Sequence, residues 1–128
     1  MNPPDWITKD VMLAVQEQLL ERFGGLPGVR EEGLLESALA RPQQLFTYES
    51  PTLFAMAAAY AHVIVKNHPF LDGNKRAGLM AAYLFLGANG LELDAPEEEA
   101  VVQTLALAAG EIGAEEFAAW LAESCTGA

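Results

Sequence analysis

SPTLFAMAAAYAHVIVKN, Ser50 to Asn67, and NKRAGLMAAYLFLGANG, Asn74 to Gly90, flank the short break HPFLDG, His68 to Gly73. In the first stretch Leu53, Phe54, Ala57, Tyr60, Ala61, Ile64 and Val65 recur at helical spacing and form a wide apolar stripe. Ser50-Pro51 predicts its start, with serine as N-cap and proline at the first helical position. A stripe that wide predicts a helix at the centre of the fold. The second stretch resumes as helix at about Asn74 and stops at Asn89-Gly90, where glycine takes the backbone out of the helix.

Working outward, the chain reads as helix almost throughout. Thr8 can cap a first helix with Asp10 in its opening turn and Met12, Val15, Leu19 and Phe23 on one face. That helix stops at Gly24-Gly25. The segment GGLPGVREEG, Gly24 to Gly33, has the glycine and proline content of a turn-rich flap, either a loop or a short hairpin. A short helix is expected from Leu34 to Ala40, ended by Arg41-Pro42. Beyond Gly90, Leu91 to Leu93 suits a short extended piece. Pro96 with Glu97 to Glu99 suits the first turn of another helix, acid side chains facing the positive end of the helix dipole. Gly110 ends it. A last helix carries Phe117, Trp120 and Leu121 on one side, and Thr126 to Ala128 are expected to fray. The expected fold is all-α: one compact domain over 1–128, a bundle of about six helices with a short flap.

Composition agrees. The chain has 128 residues, 52% of them hydrophobic, enough for a core without disulfides, and Cys125 is its single cysteine. MNPPDWITKD, Met1 to Asp10, has neither the basic nor the apolar region of a secretory signal. The charge-free stretches Leu53 to Val65 and Ala77 to Leu91 fall short of the roughly 20 apolar residues that a membrane span requires. The expectation is a cytoplasmic protein with no membrane partner. Eighteen acidic against seven basic side chains give a net charge of -11, which disfavours direct nucleic-acid binding. Lys66, Lys75 and Arg76 nonetheless cluster, opposed only by Asp72. A small cationic spot on an acidic body suits a compact anionic ligand such as a nucleotide; a chance cluster on a solvated face is the plain alternative.

The break between the two helices concentrates chemistry. Asp72-Gly73-Asn74 at a helix start can aim several backbone N–H groups at one anion, with the helix dipole behind them. Lys75 and Arg76 add formal charge, and arginine can grip phosphate oxygens in bidentate fashion. Asp72 is an oxygen donor placed to share a Mg²⁺ with those phosphates. His68 is the one side chain here of a type able to exchange a proton near neutral pH, and so the natural general base or acid. Phe70 is expected to anchor the loop in the core. Each element alone is commonplace. His62, among apolar residues, reads as structural. Together, His68 to Gly78 read as a phosphoryl-transfer site in miniature.

HPFLDGNKR, His68 to Arg76, resembles the signature loop of the Fic/Doc superfamily, HPFx(D/E)GN(G/K)R. ERFGGLPGVREEGLLESALARPQ, Glu21 to Gln43, resembles the flap and following helix of Doc-type (death-on-curing) toxins, and ALAAGEI, Ala106 to Ile112, their C-terminal part. The resemblance implies catalytic roles for His68, Asp72, Lys75 and Arg76: His68 as base toward a target hydroxyl, Asp72 as the Mg²⁺ ligand. Gly73, Asn74, Lys75 and Arg76 would bind the phosphates of ATP. Fic adenylyltransferases carry glycine at position 75, whereas Doc-type proteins carry lysine, as here; in these the nucleotide is thought to bind reversed, so that the γ-phosphoryl is transferred. A second arginine frequent in Fic proteins is replaced by Leu79, and no (S/T)xxxE(G/N) inhibitory motif occurs. The implied restraint is a separate antitoxin, a partly disordered segment folding into a groove beside the site.

The leading expectation is therefore a toxin that phosphorylates a cytosolic translation protein, by resemblance elongation factor Tu, and so inhibits translation. AMP transfer is the alternative within enzymes. A binding module that arrests translation without chemistry is the alternative outside them. A ribonuclease would use the same histidine and cations, against the acidic body. The Gly24 to Gly33 flap would offer an extended edge to a target peptide. Arg30 would contact that target or merely pair with Glu31 or Glu32, and the role of Lys66 stays open.

Overall fold

The computed structural model describes residues 2–127. The helices are α1 (Lys9–Phe23), α2 (Glu32–Tyr48), α3 (Leu53–Asn67), α4 (Asn74–Ala88), α5 (Glu97–Ala109) and α6 (Ala114–Ser124). Two short strands, β1 (Leu91–Leu93) and β2 (Cys125–Gly127), pair antiparallel with Leu91 opposite Gly127 and Leu93 opposite Cys125. The all-α expectation holds, with this one ladder added.

The apolar stripe of α3 explains its place. Met56, Tyr60, Ile64 and Val65 are buried, with an alanine run, Ala57 to Ala59 and Ala61, filling the remaining inward positions. Alanine lets neighbouring helices come close. α4 does so most tightly, with Gly78 lying against Ala61 and Val65. α2 supplies Leu35, Ala38 and Leu39, and α6 supplies Phe117, Trp120 and Leu121. The segment before α1 closes one end. Trp6 stacks on Phe85 at 5.9 Å and meets Phe46 edge-on at 5.8 Å, while the Ile7 N–H donates to the buried Tyr60 hydroxyl over 3.1 Å.

Four local expectations are corrected. The helix expected over Leu34 to Ala40 runs on to Tyr48 with Pro42 inside it. Proline lacks the N–H that would reach the Ala38 carbonyl, a deficit of about 3 kcal/mol in an exposed helix. Here Pro42 is buried on the face shared with Leu35, Ala38 and Leu39, so its ring belongs to the core. α3 begins two residues later than Ser50-Pro51 suggests, because the Thr52 hydroxyl accepts from the Ala55 N–H over 3.0 Å and is the real N-cap. The flap takes the loop of the two forms expected, but it ends at Glu31 rather than at Gly33. Gly24 to Glu31 is irregular, and Gly33 already lies in α2. Cys125 to Gly127 do not fray: they pair with β1, and Ala128 lies outside the described residues.

Candidate active site

Helix α3 ends at His68 and α4 starts at Asn74, so the break His68 to Gly73 is held at both ends by the most buried helix pair of the fold. His68 is the C-cap of α3, with φ 52° and ψ 60°, the one non-glycine residue in the left-handed region among those described. Its side chain is exposed. Phe70 dives into the core at 1% exposure, as its apolar character demands. Asn74 clamps it there: its Oδ1 accepts from the Phe70 N–H and its Nδ2 donates to the Phe70 carbonyl, both at 3.0 Å. The Asn74 side chain is thus committed to the loop, leaving its backbone N–H to face a ligand.

Gly73, at φ 73°, makes the turn into α4, whose first N–H groups have no acceptor within the helix. Asp72 lies at the mouth of this turn. Its Oδ1 accepts from the Gly73 N–H over 2.9 Å and its Oδ2 from the Leu26 N–H of the flap over 3.3 Å. Gln16, 4% exposed on α1, donates through Nε2 to the Asp72 carbonyl over 2.8 Å, while its Oε1 is buried without a partner. Lys75 and Arg76 project from the first turn of α4 and are exposed. Among the described residues the only ion pair joins Lys9 to Glu32 and Glu36, so neither cation is neutralised by a carboxylate. The Arg76 guanidinium rests 4.8 Å from the Phe23 ring centroid, and Arg22 lies 5.2 Å from the same ring.

The flap meets the loop directly. Val29 and Phe70 form an antiparallel bridge, with Arg30 N–H donating to Pro69 (2.7 Å) and Leu71 N–H to Gly28 (3.1 Å). In such a bridge the N–H and carbonyl of Val29 itself point the other way, leaving an edge open to a further strand. The Arg30 side chain pairs with neither Glu31 nor Glu32. Its Nε donates to the His68 carbonyl over 2.7 Å and its Nη2 to the Asn67 carbonyl over 2.6 Å. Lys66 caps another helix end, donating to the Ala108 carbonyl over 3.3 Å, and so stands apart from the cationic spot.

A cleft of about 640 Å³ opens beside Arg76, lined by Phe23, Leu79, Met80, Tyr83 and Val101 among others. A second cavity, about 480 Å³, lies between α2, α3 and α6 and includes Arg41 and His62. Burial, then the nearby Lys66 and Arg41, hold His62 below its ordinary pKa, in keeping with a structural role. Among the described residues no three His, Cys, Asp or Glu side chains converge to cage a metal ion. Asp72, a single exposed carboxylate beside unpaired cations, suits instead a Mg²⁺ shared with phosphate oxygens, the usual manner of that ion. No helix among the described residues is long and apolar enough to cross a membrane.

The loop residues singled out from sequence, His68, Asp72, Gly73, Asn74, Lys75 and Arg76, all gather at this junction of α3 and α4. Gln16 and the Arg30 fork were missed. Gln16 did carry a signal, a polar residue four positions after Met12 on the core-facing side of α1. Phe23, aligned by spacing with the buried Met12 and Leu19, is 49% exposed, because it ends α1 beyond the edge of the packed bundle.

The family model described as the Fic/DOC family matches residues 6–86. The chain belongs to this family. Among curated relatives, "Protein kinase doc" of Escherichia phage P1 is 36% identical over 114 residues, 88% of this chain and 89% of the relative. "Toxin Doc" of Mycolicibacterium smegmatis is 44% identical over 75 residues, 57% of this chain and 58% of the relative. The Fic/DOC match spans α1, the flap, the loop from His68 to Gly73 and most of α4.

Proposed function

We propose that this Fic/DOC chain is a toxin of a toxin–antitoxin system that transfers the γ-phosphoryl of ATP to a hydroxyl of a cytosolic translation protein, elongation factor Tu being the first candidate. The observation that carries the reading is the meeting of an exposed His68 at the end of α3 with the uncompensated Lys75 and Arg76 at the start of α4. The names of the two relatives support kinase and toxin.

The chain's own residues divide the work. The open edge of Val29 pairs with the main chain of the target and sets its hydroxyl beside His68. His68 takes the hydroxyl proton as the hydroxyl oxygen bonds to the γ-phosphorus. The bond from that phosphorus to the β,γ-bridging oxygen breaks, and ADP leaves with the electron pair. The first N–H groups of α4 with Lys75 and Arg76 hold the phosphate oxygens and balance their charge. A Mg²⁺ held by Asp72 would supply further charge neutralisation there. Lys75 occupies space and adds charge where a glycine would do neither, which favours transfer from the γ end. The antitoxin is expected to lay an amphipathic segment into the 640 Å³ cleft, whose wall of Leu79, Met80, Tyr83 and Val101 suits the apolar face of a helix.

The test is a transfer assay with purified elongation factor Tu, Mg²⁺ and ATP labelled at the α or the γ phosphate, read with the intact mass of the target. Label from the γ position, lost in a folded His68→Ala variant, is the expected result. Label from the α position would mean AMP transfer and overturn the reading of Lys75; Lys75→Gly then becomes the informative swap. Growth arrest that persists in a His68→Ala, Asp72→Ala double variant would instead point to a binding module.

A further inference from the structure

We propose that Arg30 is a positioning residue for the His68 imidazole, so that the flap sets the base as well as receiving the target. This rests on the reading of His68 as the base. A non-glycine residue in the left-handed region is strained by about 1–2 kcal/mol and persists only where its surroundings over-determine it. His68 has that backbone, and its direction fixes where the imidazole projects.

Arg30 supplies the restraint. Its Nε, Nη2 and backbone N–H donate to the carbonyls of His68, Asn67 and Pro69 at 2.7, 2.6 and 2.7 Å. One residue thus satisfies three consecutive carbonyls, two of them at the end of α3, where helix acceptors lack partners and a cation is favoured. Glu32 is taken by Lys9, and Arg30 makes no ion pair among the described residues, so the guanidinium serves only this backbone. A lysine ammonium can approach one carbonyl but has no planar fork to hold both in fixed relation. Val29, whose edge would receive the target, is the preceding residue, so target engagement and base placement fall on adjacent positions of the flap.

The test uses the whole chain carrying Arg30→Ala, with Arg30→Lys as a second variant that keeps the charge should the first fail to fold. The protein has two histidines, His62 and His68, so their ring signals are readily told apart by magnetic resonance. The His68 ring signals are expected to move in both variants and those of His62 to stay. In the transfer assay kcat should fall about tenfold or more with KM for ATP changed less than about twofold, the pattern of a lost transition-state arrangement. Millimolar methylguanidinium should restore part of the Arg30→Ala rate. Unmoved His68 signals overturn the proposal whatever the activity, and so does a wild-type kcat in Arg30→Ala. If the unmodified protein transfers nothing from ATP, the kinase reading falls, and the His68 signals alone decide this one.

Discussion

Two glycines of α4 make opposite predictions for the same change. At Gly78 an added Cβ would lie 2.7 Å from Val65 Cγ1 and 3.1 Å from the Ala61 carbonyl oxygen. At Gly87 it would meet nothing within 4 Å. Glycine to alanine in a helix interior gains about 1 kcal/mol from backbone propensity, and Gly87→Ala should show most of that gain. Gly78→Ala receives the same gain but must push apart α3 and α4. Val65 is buried and β-branched, with one preferred rotamer in a helix, and Ala61 offers backbone, so neither yields easily. Overpacking of this kind costs about 1–3 kcal/mol, leaving Gly78→Ala about 0–2 kcal/mol less stable than the parent. The two variants should therefore differ by about 1–3 kcal/mol, or roughly 3–10 °C in Tm for a chain of this size. Thermal and urea unfolding followed by far-ultraviolet circular dichroism read both quantities. A Gly78→Ala protein as stable as Gly87→Ala would refute the close helix contact, and with it the account of how His68 and Arg76 are brought together.

Three further outcomes are expected. Burial pushes the Tyr60 hydroxyl pKa up and keeps it neutral, and Tyr60→Phe leaves the Ile7 N–H without its acceptor, so urea unfolding should show a loss of about 1–3 kcal/mol. Asn74→Ala strips both hydrogen bonds from the buried Phe70 backbone, about 2–4 kcal/mol, and hydrogen exchange at Phe70 should quicken well before global unfolding. The depressed folded pKa of His62 means the unfolded chain takes up that proton first as pH falls below the ordinary 6.5. Stability should then decline with falling pH until the folded pKa is passed. Unfolding free energies measured at steps through that window should lose this component in His62→Gln; an identical slope in both proteins would refute it.

Most of the helix plan was legible because its signals are local and agree with one another. Thr8 does cap α1 through its hydroxyl, Gly110 does end α5 in the left-handed conformation, and the stripe of α3 is the core. The misreadings share a cause. Pro42 and Ser50-Pro51 are strong local stop and start signals, yet both yielded to longer-range arrangement: a proline ring that fits the core, and a threonine hydroxyl better placed to cap. The end at Cys125 to Gly127 is ordered by β1, which is remote in sequence. The site divides the same way. His68 to Arg76 are contiguous and could be read as a loop with chemistry in it. Gln16 and Arg30 act on that loop from 56 and 38 residues away; the polar Gln16 on the core-facing side of α1 shows that a partner is needed, but nothing local names the partner of either residue.

Phe23, exposed at the end of α1, gives Arg76 a resting place. An exposed arginine normally samples many rotamers, and immobilising it on a ligand gives up about 2 kcal/mol of conformational freedom. A guanidinium already lying against an aromatic face has surrendered part of that freedom. The attraction holding it there is only about 0.5–1 kcal/mol at an exposed site, less than one decade in affinity, so an anion can still draw the arginine away. The ring shortens the search without opposing the capture. Variation at position 23 would therefore tune how tightly an anion is held at Arg76 through a residue that need never touch it.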